Sequence, residues 1–173
     1  VRCLLRWALS TGRIDRDVTV GVLKPPGTRR ALPRGVGADQ VAALLDVCDP
    51  ATAIGARDRA LVTILVRLGL RAGEAARLTL DDIDWAAGCL KVVGKGREHT
   101  LPIPVDVGEA LAVWLQARPA ALDRGVFVRM AAPRRMLTTS GISGVIARLS
   151  DLAGIDRVYA HRLRHTAAMD VLA

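Results

Sequence analysis

Apolar residues recur along the chain at intervals of three and four, which predicts a mainly helical protein. Leu4, Leu5, Ala8 and Leu9 share one helical face, and Gly12 follows where a helix commonly ends. The longest apolar stripe predicts a helix over about 54–68. The same spacing predicts further helices after Asp39, over Gly73–Leu78, after Asp106, after Thr139 and from about His161 to the end.

Short polar residues precede several of these stripes and are typical of helix N-caps, because their oxygens accept bonds from free backbone N–H groups. On this pattern Asp39 and Asp106 are predicted to cap two helices. Thr139 or Ser140 is predicted to cap another.

The middle of the chain changes to alternating apolar and polar positions, which is typical of strands. Three short strands are predicted over Ile83–Trp85, Leu90–Val93 and His99–Ile103, with turns at 86–88 and 94–96. Together with the helices they predict an α+β fold, mainly helical, with a small three-stranded antiparallel sheet.

A proline-rich stretch divides the chain, because residues from Lys24-Pro25-Pro26-Gly27 to Pro33 cannot form a helix or a central strand. Residues 1–33 are therefore interpreted as the helical end of an upstream domain followed by a basic linker. The main domain is predicted over 34–173.

Charge favours a polyanionic partner. Lys and Arg number 25 against 17 Asp and Glu, giving a net charge of +8, and Lys24, Lys91 and Lys95 are the only lysines. Nucleic acid is the commonest such partner, although a solvated basic surface without a partner gives the same balance.

Other functional classes are disfavoured. No apolar run reaches the roughly 18 residues of a membrane span, so no membrane contact and a cytoplasmic location are expected. Three scattered cysteines (Cys3, Cys48 and Cys89) favour neither disulfides nor a zinc site.

Three separated clusters carry side chains suited to phosphodiester transfer without a metal: residues 69–74, 93–96 and 161–165. Arg71 and Arg164 could clamp the non-bridging oxygens of a phosphate, because a guanidinium binds two oxygens and keeps its charge. Lys95, on a glycine-flanked turn, could give a proton to the leaving 5′-oxygen. His161 could take the proton of the nucleophile, and it shares a helix face with Arg164 three residues later.

Each cluster alone is weak evidence. Arg71 could be an ordinary surface arginine, Gly-Lys-Gly an ordinary tight turn, and HxxR a chance match in an arginine-rich chain. The three clusters in this order, on these predicted elements, are much stronger evidence.

The clusters are similar to the motifs of the tyrosine recombinase (phage integrase) family, including its Xer-type members. LGLRAGEAARLTLDDIDW resembles the first-arginine motif, LKVVGKG the β-hairpin motif, and HRLRHTAAMDVLA the HxxRH box. Residues 1–34 resemble the end of the core-binding domain and its linker. The shared site chemistry also fits a type IB topoisomerase relative, but the linker and the domain order favour an integrase.

The resemblance implies site-specific DNA recombination through a 3′-phosphotyrosyl intermediate, with duplex DNA as partner and no metal or nucleotide cofactor. It assigns catalytic roles to Arg71, Lys95, His161 and Arg164, and it leaves open a homo-oligomer on DNA. Glu74 and His165 are expected to support the site. DNA contacts are expected from Arg29, Arg30, Arg34 and Arg97.

Two departures from the family pattern stand out. The run after the hairpin glycine, REHTLPIP, is one residue shorter than usual. The later His/Trp box and the nucleophilic tyrosine are not found by Ala173, and the single tyrosine, Tyr159, precedes the HxxRH box. We therefore expect the catalytic domain to be incomplete here and inactive alone, with a DNA-binding remnant or competitor as the alternative. Tyr159 is interpreted as a packing or hydrogen-bonding residue beside the site.

We predict that a polypeptide of residues 1–173 forms no covalent adduct with a suicide DNA substrate, because no tyrosine occupies the nucleophile's position. Denaturing gel electrophoresis checks this. An adduct that disappears in Tyr159→Phe would contradict the prediction and identify Tyr159 as the nucleophile.

Overall fold

The computed structural model describes residues 2–21, 35–94 and 96–170. The chain divides into two compact units, Val1–Leu32 and Pro33–Ala173. In the first unit, helix α1 (Arg2–Ser10) is followed by a short 3-10 helix over Val18–Gly21. That this unit ends a core-binding domain stays a prediction.

The second unit contains six α-helices within its described residues. They are α2 (Ala38–Asp46), α3 (Ala53–Arg67), α4 (Ala72–Arg77), α5 (Val105–Ala117), α6 (Thr139–Leu152) and α7 (Ala160–Asp170). Each lies within a few residues of the stripe that predicted it. No helix of the described ranges combines the length and hydropathy that a membrane span needs.

The predicted sheet is present as a three-stranded antiparallel meander of β1 (Ile83–Asp84), β2 (Cys89–Gly94) and β3 (Arg97–Pro102). Leu90 pairs with both Ile83 and Leu101, so the middle strand carries apolar residues to the core. At the other end of these two strands, Gly94 pairs with Arg97. The mainly helical α+β class is confirmed.

The predicted caps were wrong by one or two residues. The N-caps are Gly37, Pro104 and Thr138, while Asp39 and Asp106 lie in the first turns of their helices. Carboxylates in a first turn are favourable because they face the positive end of the helix dipole. The Thr138 hydroxyl accepts the N–H of Gly141, which is the bond expected of a cap.

Helix α3 forms the centre of the core. Four members of its predicted stripe, Ala60, Leu61, Ile64 and Leu65, are fully buried. Leu111 and Trp114 of α5 and Leu163 of α7 belong to the same core. The indole N–H of Trp114 donates to the Val126 carbonyl at 2.9 Å, so its one polar atom is satisfied.

A buried ion cluster joins α3 to α6. Asp58 is only 1% exposed, and its carboxylate pairs with Arg57 at 2.7 Å and with Arg148 of α6. Arg57 also donates to the Val128 carbonyl at 3.2 Å. These partners offset the cost of removing a charge from water, which explains why charged residues interrupt an otherwise apolar helix.

A buried serine fixes the connection that leads into α7. The Ser150 hydroxyl donates to the Ile146 carbonyl at 2.9 Å and accepts the N–H of Val158 at 3.1 Å. Ser150 and Val158 are both buried, so water cannot replace either bond. This contact sets where the chain turns toward His161.

We predict that Ser150→Ala lowers the free energy of unfolding by about 1–3 kcal/mol, because the buried N–H of Val158 loses its acceptor. Urea denaturation followed by circular dichroism measures the change. The control is Ser143→Ala, which removes an exposed hydroxyl that donates only to the Thr139 carbonyl. Equal losses in the two variants would contradict the role assigned to Ser150.

Candidate active site

The carboxylate of Glu74 joins two of the predicted site arginines. Its oxygens accept the backbone N–H of Arg71 at 2.8 Å and the Arg71 guanidinium at 2.6 Å. The guanidinium of Arg164 lies 3.7 Å from the same carboxylate. Arg71 and Arg164, 93 residues apart in the sequence, therefore lie on one face of the domain and share one counter-ion.

Local sequence explains how α4 presents Arg71 and Glu74. Gly69, with φ of 62°, adopts the left-handed conformation just after α3, and buried Leu70 anchors the turn in the core. Arg71 is the N-cap residue of α4, and Glu74, at the third helical position, reaches back to its N–H. This is the glutamate half of a capping box.

Helix α7 presents His161 and Arg164 for a similar reason. Leu163 is fully buried against the core and Ala160 is nearly so. Because residues three apart share a helix face, His161 and Arg164 point together away from that core. Both line the groove that Arg71 lines.

This groove has a volume of about 790 Å³ and lies between α4, α6 and the start of α7. The side chains of Arg71 and Arg164 are 54% and 37% exposed, so each keeps donors open to solvent. The residues that line it are Arg71, Ala72, Gly73, Glu74, Arg77, Thr139, Ser143, Tyr159, Ala160, His161 and Arg164.

A smaller cleft of about 290 Å³ borders the same three charged residues on the hairpin side. Gly94, Arg97 and His99 line it together with Arg71, Glu74 and Arg164. A Cβ atom added to Gly94 would lie 3.3 Å from a carboxylate oxygen of Glu74, so glycine permits a close approach of this backbone. Strand β2 therefore ends beside the carboxylate that the arginines share.

The ionisation of Glu74 follows from its surroundings. Burial by itself would raise the pKa of this carboxyl group. The hydrogen bonds from Arg71 and the charges of Arg71 and Arg164 outweigh burial, so the pKa lies below its ordinary value. Glu74 is therefore a charged counter-ion at neutral pH and has no proton to give.

The structure thus brings together Arg71, Glu74, His161 and Arg164, and it places Arg97 on β3 in the adjoining cleft. Lys95, Arg29, Arg30 and Arg34 lie outside the described residues, as does the side chain of His165. The catalytic and DNA-binding roles of all these residues stay predictions.

Tyr159, which was expected beside the site, lines the groove. Tyr159 is 52% exposed and its ring stacks on His161, with centroids 5.7 Å apart and planes inclined by 25°. The Arg157 guanidinium lies 5.9 Å from the centre of the same Tyr159 ring. Tyr159 thus lies beside the site, as expected, but on the surface and against the imidazole.

Arg77 also lines the groove, although the sequence analysis gave it no role. It lies one helical turn after Gly73, and that i,i+4 spacing from a motif residue was the available signal. In a chain with so many arginines, this spacing was not enough to single out Arg77.

No group of three or more His, Cys, Asp or Glu residues in the described parts of the chain could hold a metal ion.

Comparison with known proteins decides the family. Residues 35–173 match the profile of the phage integrase family. The chain belongs to this family.

Curated relatives of the integrase domain extend the match into the first unit. The putative integrase/recombinase y4rA of Sinorhizobium fredii is 40% identical over an alignment of 177 positions, which covers 99% of this chain and 43% of that protein. Tyrosine recombinase XerC of Azotobacter vinelandii is 36% identical, spanning 99% of this chain and 58% of that protein. The chain thus spans about half the length of these relatives.

A solved structure supports the fold. The Tn1549 transposon integrase in complex with circular intermediate DNA superposes with a TM-score of 0.68 at 16% identity, covering 99% of this chain and 63% of that one. The identity is low, so the likeness shows the integrase fold alone.

We predict that Glu74→Gln lowers the free energy of unfolding at neutral pH by about 1.5–3 kcal/mol, the range for hydrogen bonds to a charged group. Because the pKa of Glu74 is lowered, the folded chain binds fewer protons there than the unfolded chain. The contribution is therefore complete above the unfolded pKa of about 4.3 and is lost as pH falls through the lower folded pKa.

Urea denaturation of both proteins from about pH 3 to about pH 8 measures this. The difference between them should be largest above about pH 5 and should shrink in acid. A difference that stays constant across the range would show that the negative charge of Glu74 stabilises nothing.

Proposed function

We propose that residues 34–173 form the catalytic domain of a site-specific tyrosine recombinase, and that residues 1–33 form the end of its core-binding domain and linker. One observation carries the proposal: Arg71 and Arg164 meet at the Glu74 carboxylate, with their outer faces open to one groove. This arrangement suits a single DNA phosphodiester held from two sides.

Each residue has a role in strand breakage. Glu74 offsets the repulsion between the two guanidinium groups and orients Arg71, which leaves the outer N–H donors for phosphate oxygens. As a nucleophile attacks phosphorus, negative charge grows on the non-bridging oxygens. Two fixed guanidinium groups stabilise that charge more strongly than they stabilise the starting diester.

Proton transfer falls to His161 and Lys95. His161 lies at the groove, where its imidazole can accept the proton of an attacking hydroxyl group. Lys95 follows Gly94, whose backbone lies close to Glu74, and it is assigned the proton that the leaving 5′-oxygen requires. In the family chemistry a tyrosine attacks and keeps the bond energy in a 3′-phosphotyrosyl link, so rejoining needs no cofactor.

Partner and location follow from the same proposal. Duplex DNA fits the net charge of +8, and a structural neighbour at TM-score 0.68 is itself a DNA complex. Arg29, Arg30, Arg34 and Arg97 are assigned to DNA backbone contacts, and copies of the protein are proposed to assemble on DNA. A bacterial-type recombinase of this kind acts in the cytoplasm, where its substrate is.

Orthovanadate tests the clamp, because its oxygens have the negative charge and the tetrahedral arrangement of those of phosphate. We expect residues 1–173 to bind vanadate at the clamp, since guanidinium groups can hold its oxygens bidentately. Arg71→Ala and Arg164→Ala should each weaken vanadate binding by about 10- to 100-fold. Vanadium NMR at low vanadate concentration measures the affinity.

Two controls keep the result specific. Arg129→Gln removes an exposed arginine outside the groove and should change the vanadate affinity by no more than about 2-fold. Arg71→Lys keeps the charge but loses the planar fork, so it should recover only part of the binding. Vanadate binding that neither alanine variant weakens would contradict the clamp and would favour a DNA-binding module without catalysis.

A further inference from the structure

The groove that Arg71 and Arg164 line also carries a third arginine, Arg77, which has no role in the sequence analysis or in the proposed mechanism. Arg77 lies on α4 six residues after Arg71, or about 9 Å along the helix axis at 1.5 Å per residue. It lines the groove together with Thr139 and Ser143 of α6.

Arg77 is held in place and yet free to bind an anion. One guanidinium nitrogen donates to the Val93 carbonyl at 3.3 Å, which ties the side chain to the end of β2. A guanidinium has five N–H donors, so most of them stay available. Arg77 is exposed, and no carboxylate of the described residues forms an ion pair with it.

Gly73 forms the floor between Arg77 and α6. A Cβ atom placed on Gly73 would lie 3.4 Å from the Thr139 hydroxyl and 3.5 Å from an Arg77 guanidinium nitrogen. A hydroxyl group and a guanidinium therefore flank one small open space above a residue without a side chain. Phosphate oxygens accept hydrogen bonds from hydroxyl and guanidinium groups, so this pair of donors suits a phosphate.

We propose that Arg77, with Thr139, binds the phosphate next to the scissile one on the same DNA strand. This inference rests on the proposed function, since it takes the Arg71–Arg164 clamp as the site of the first phosphate. Successive phosphates of a strand are separated by one sugar, so a groove that holds the first and continues past it receives its neighbour. Arg77 then positions the strand, while the clamp carries the chemistry.

Short thymidylate oligomers without terminal phosphates test the proposal independently of the target sequence. Oligomers with one, two and three phosphodiesters are titrated into residues 1–173 at low ionic strength, and NMR chemical shifts give the affinities. The second phosphodiester should raise the affinity by about 3- to 10-fold, and the third by less, in line with one additional charge-assisted contact.

Variants then assign each phosphate to its arginine. Arg77→Gln should leave binding of the one-phosphate oligomer unchanged within about 2-fold and abolish the gain from the second phosphate. Arg77→Lys, which keeps the charge, should restore part of that gain. Arg129→Gln is the matched control, because Arg129 is also exposed and also donates to one carbonyl, that of Pro133 at 3.0 Å.

The outcomes separate the two ideas. If Arg164→Ala does not weaken binding of the one-phosphate oligomer, the clamp and the proposed function fail. If Arg164→Ala weakens it but Arg77→Gln keeps the gain from the second phosphate, the Arg77 assignment fails alone. Equal losses for all oligomers in Arg77→Gln and Arg129→Gln also overturn the assignment, since they indicate general charge only.

Discussion

Two guanidinium groups can face one small anion only if something offsets their mutual repulsion before the anion arrives. In this domain the buried carboxylate of Glu74 does so, with Arg71 at 2.6 Å and Arg164 at 3.7 Å. Its lowered pKa keeps it charged at neutral pH, so the counter-ion is permanent. The same carboxylate satisfies the N–H of Arg71 at the start of α4. The electrostatics of the site and the beginning of that helix therefore depend on one side chain.

The rest of the domain holds three chain segments against this carboxylate. Leu70 anchors the turn before α4, Leu163 anchors α7, and both are buried in the core around α3. Gly94 lets the hairpin backbone approach the Glu74 carboxylate, because glycine places no side chain between them. Rigid elements of this kind hold functional groups more firmly than loops do, and pre-organised donors avoid the cost of reorientation during reaction. The groove beside them continues along α4, where Arg77 extends its positive surface.

Periodicity predicted most of the architecture because the buried faces of helices and strands impose it directly. The α3 stripe and the three strands were predicted from spacing alone, and the pairing of Leu90 with Ile83 and Leu101 confirms the meander. Helix starts were less accurate. Asp39 and Asp106 gave the correct turn but the wrong residue, since a carboxylate is favourable both at the cap and within the first turn.

By itself the sequence determined which side chains could hold a phosphodiester, because residue chemistry and motif order are local properties that need no coordinates. The resemblance to the family also gave Glu74, three residues after Arg71, a supporting role in the site. Only the tertiary structure decided that Glu74 also faces Arg164, that Tyr159 stacks on His161 from the surface, and that Arg77 shares their groove. Those relations depend on how α4, α6 and α7 pack on one core. Packing joins residues far apart in the chain at distances that no spacing rule encodes.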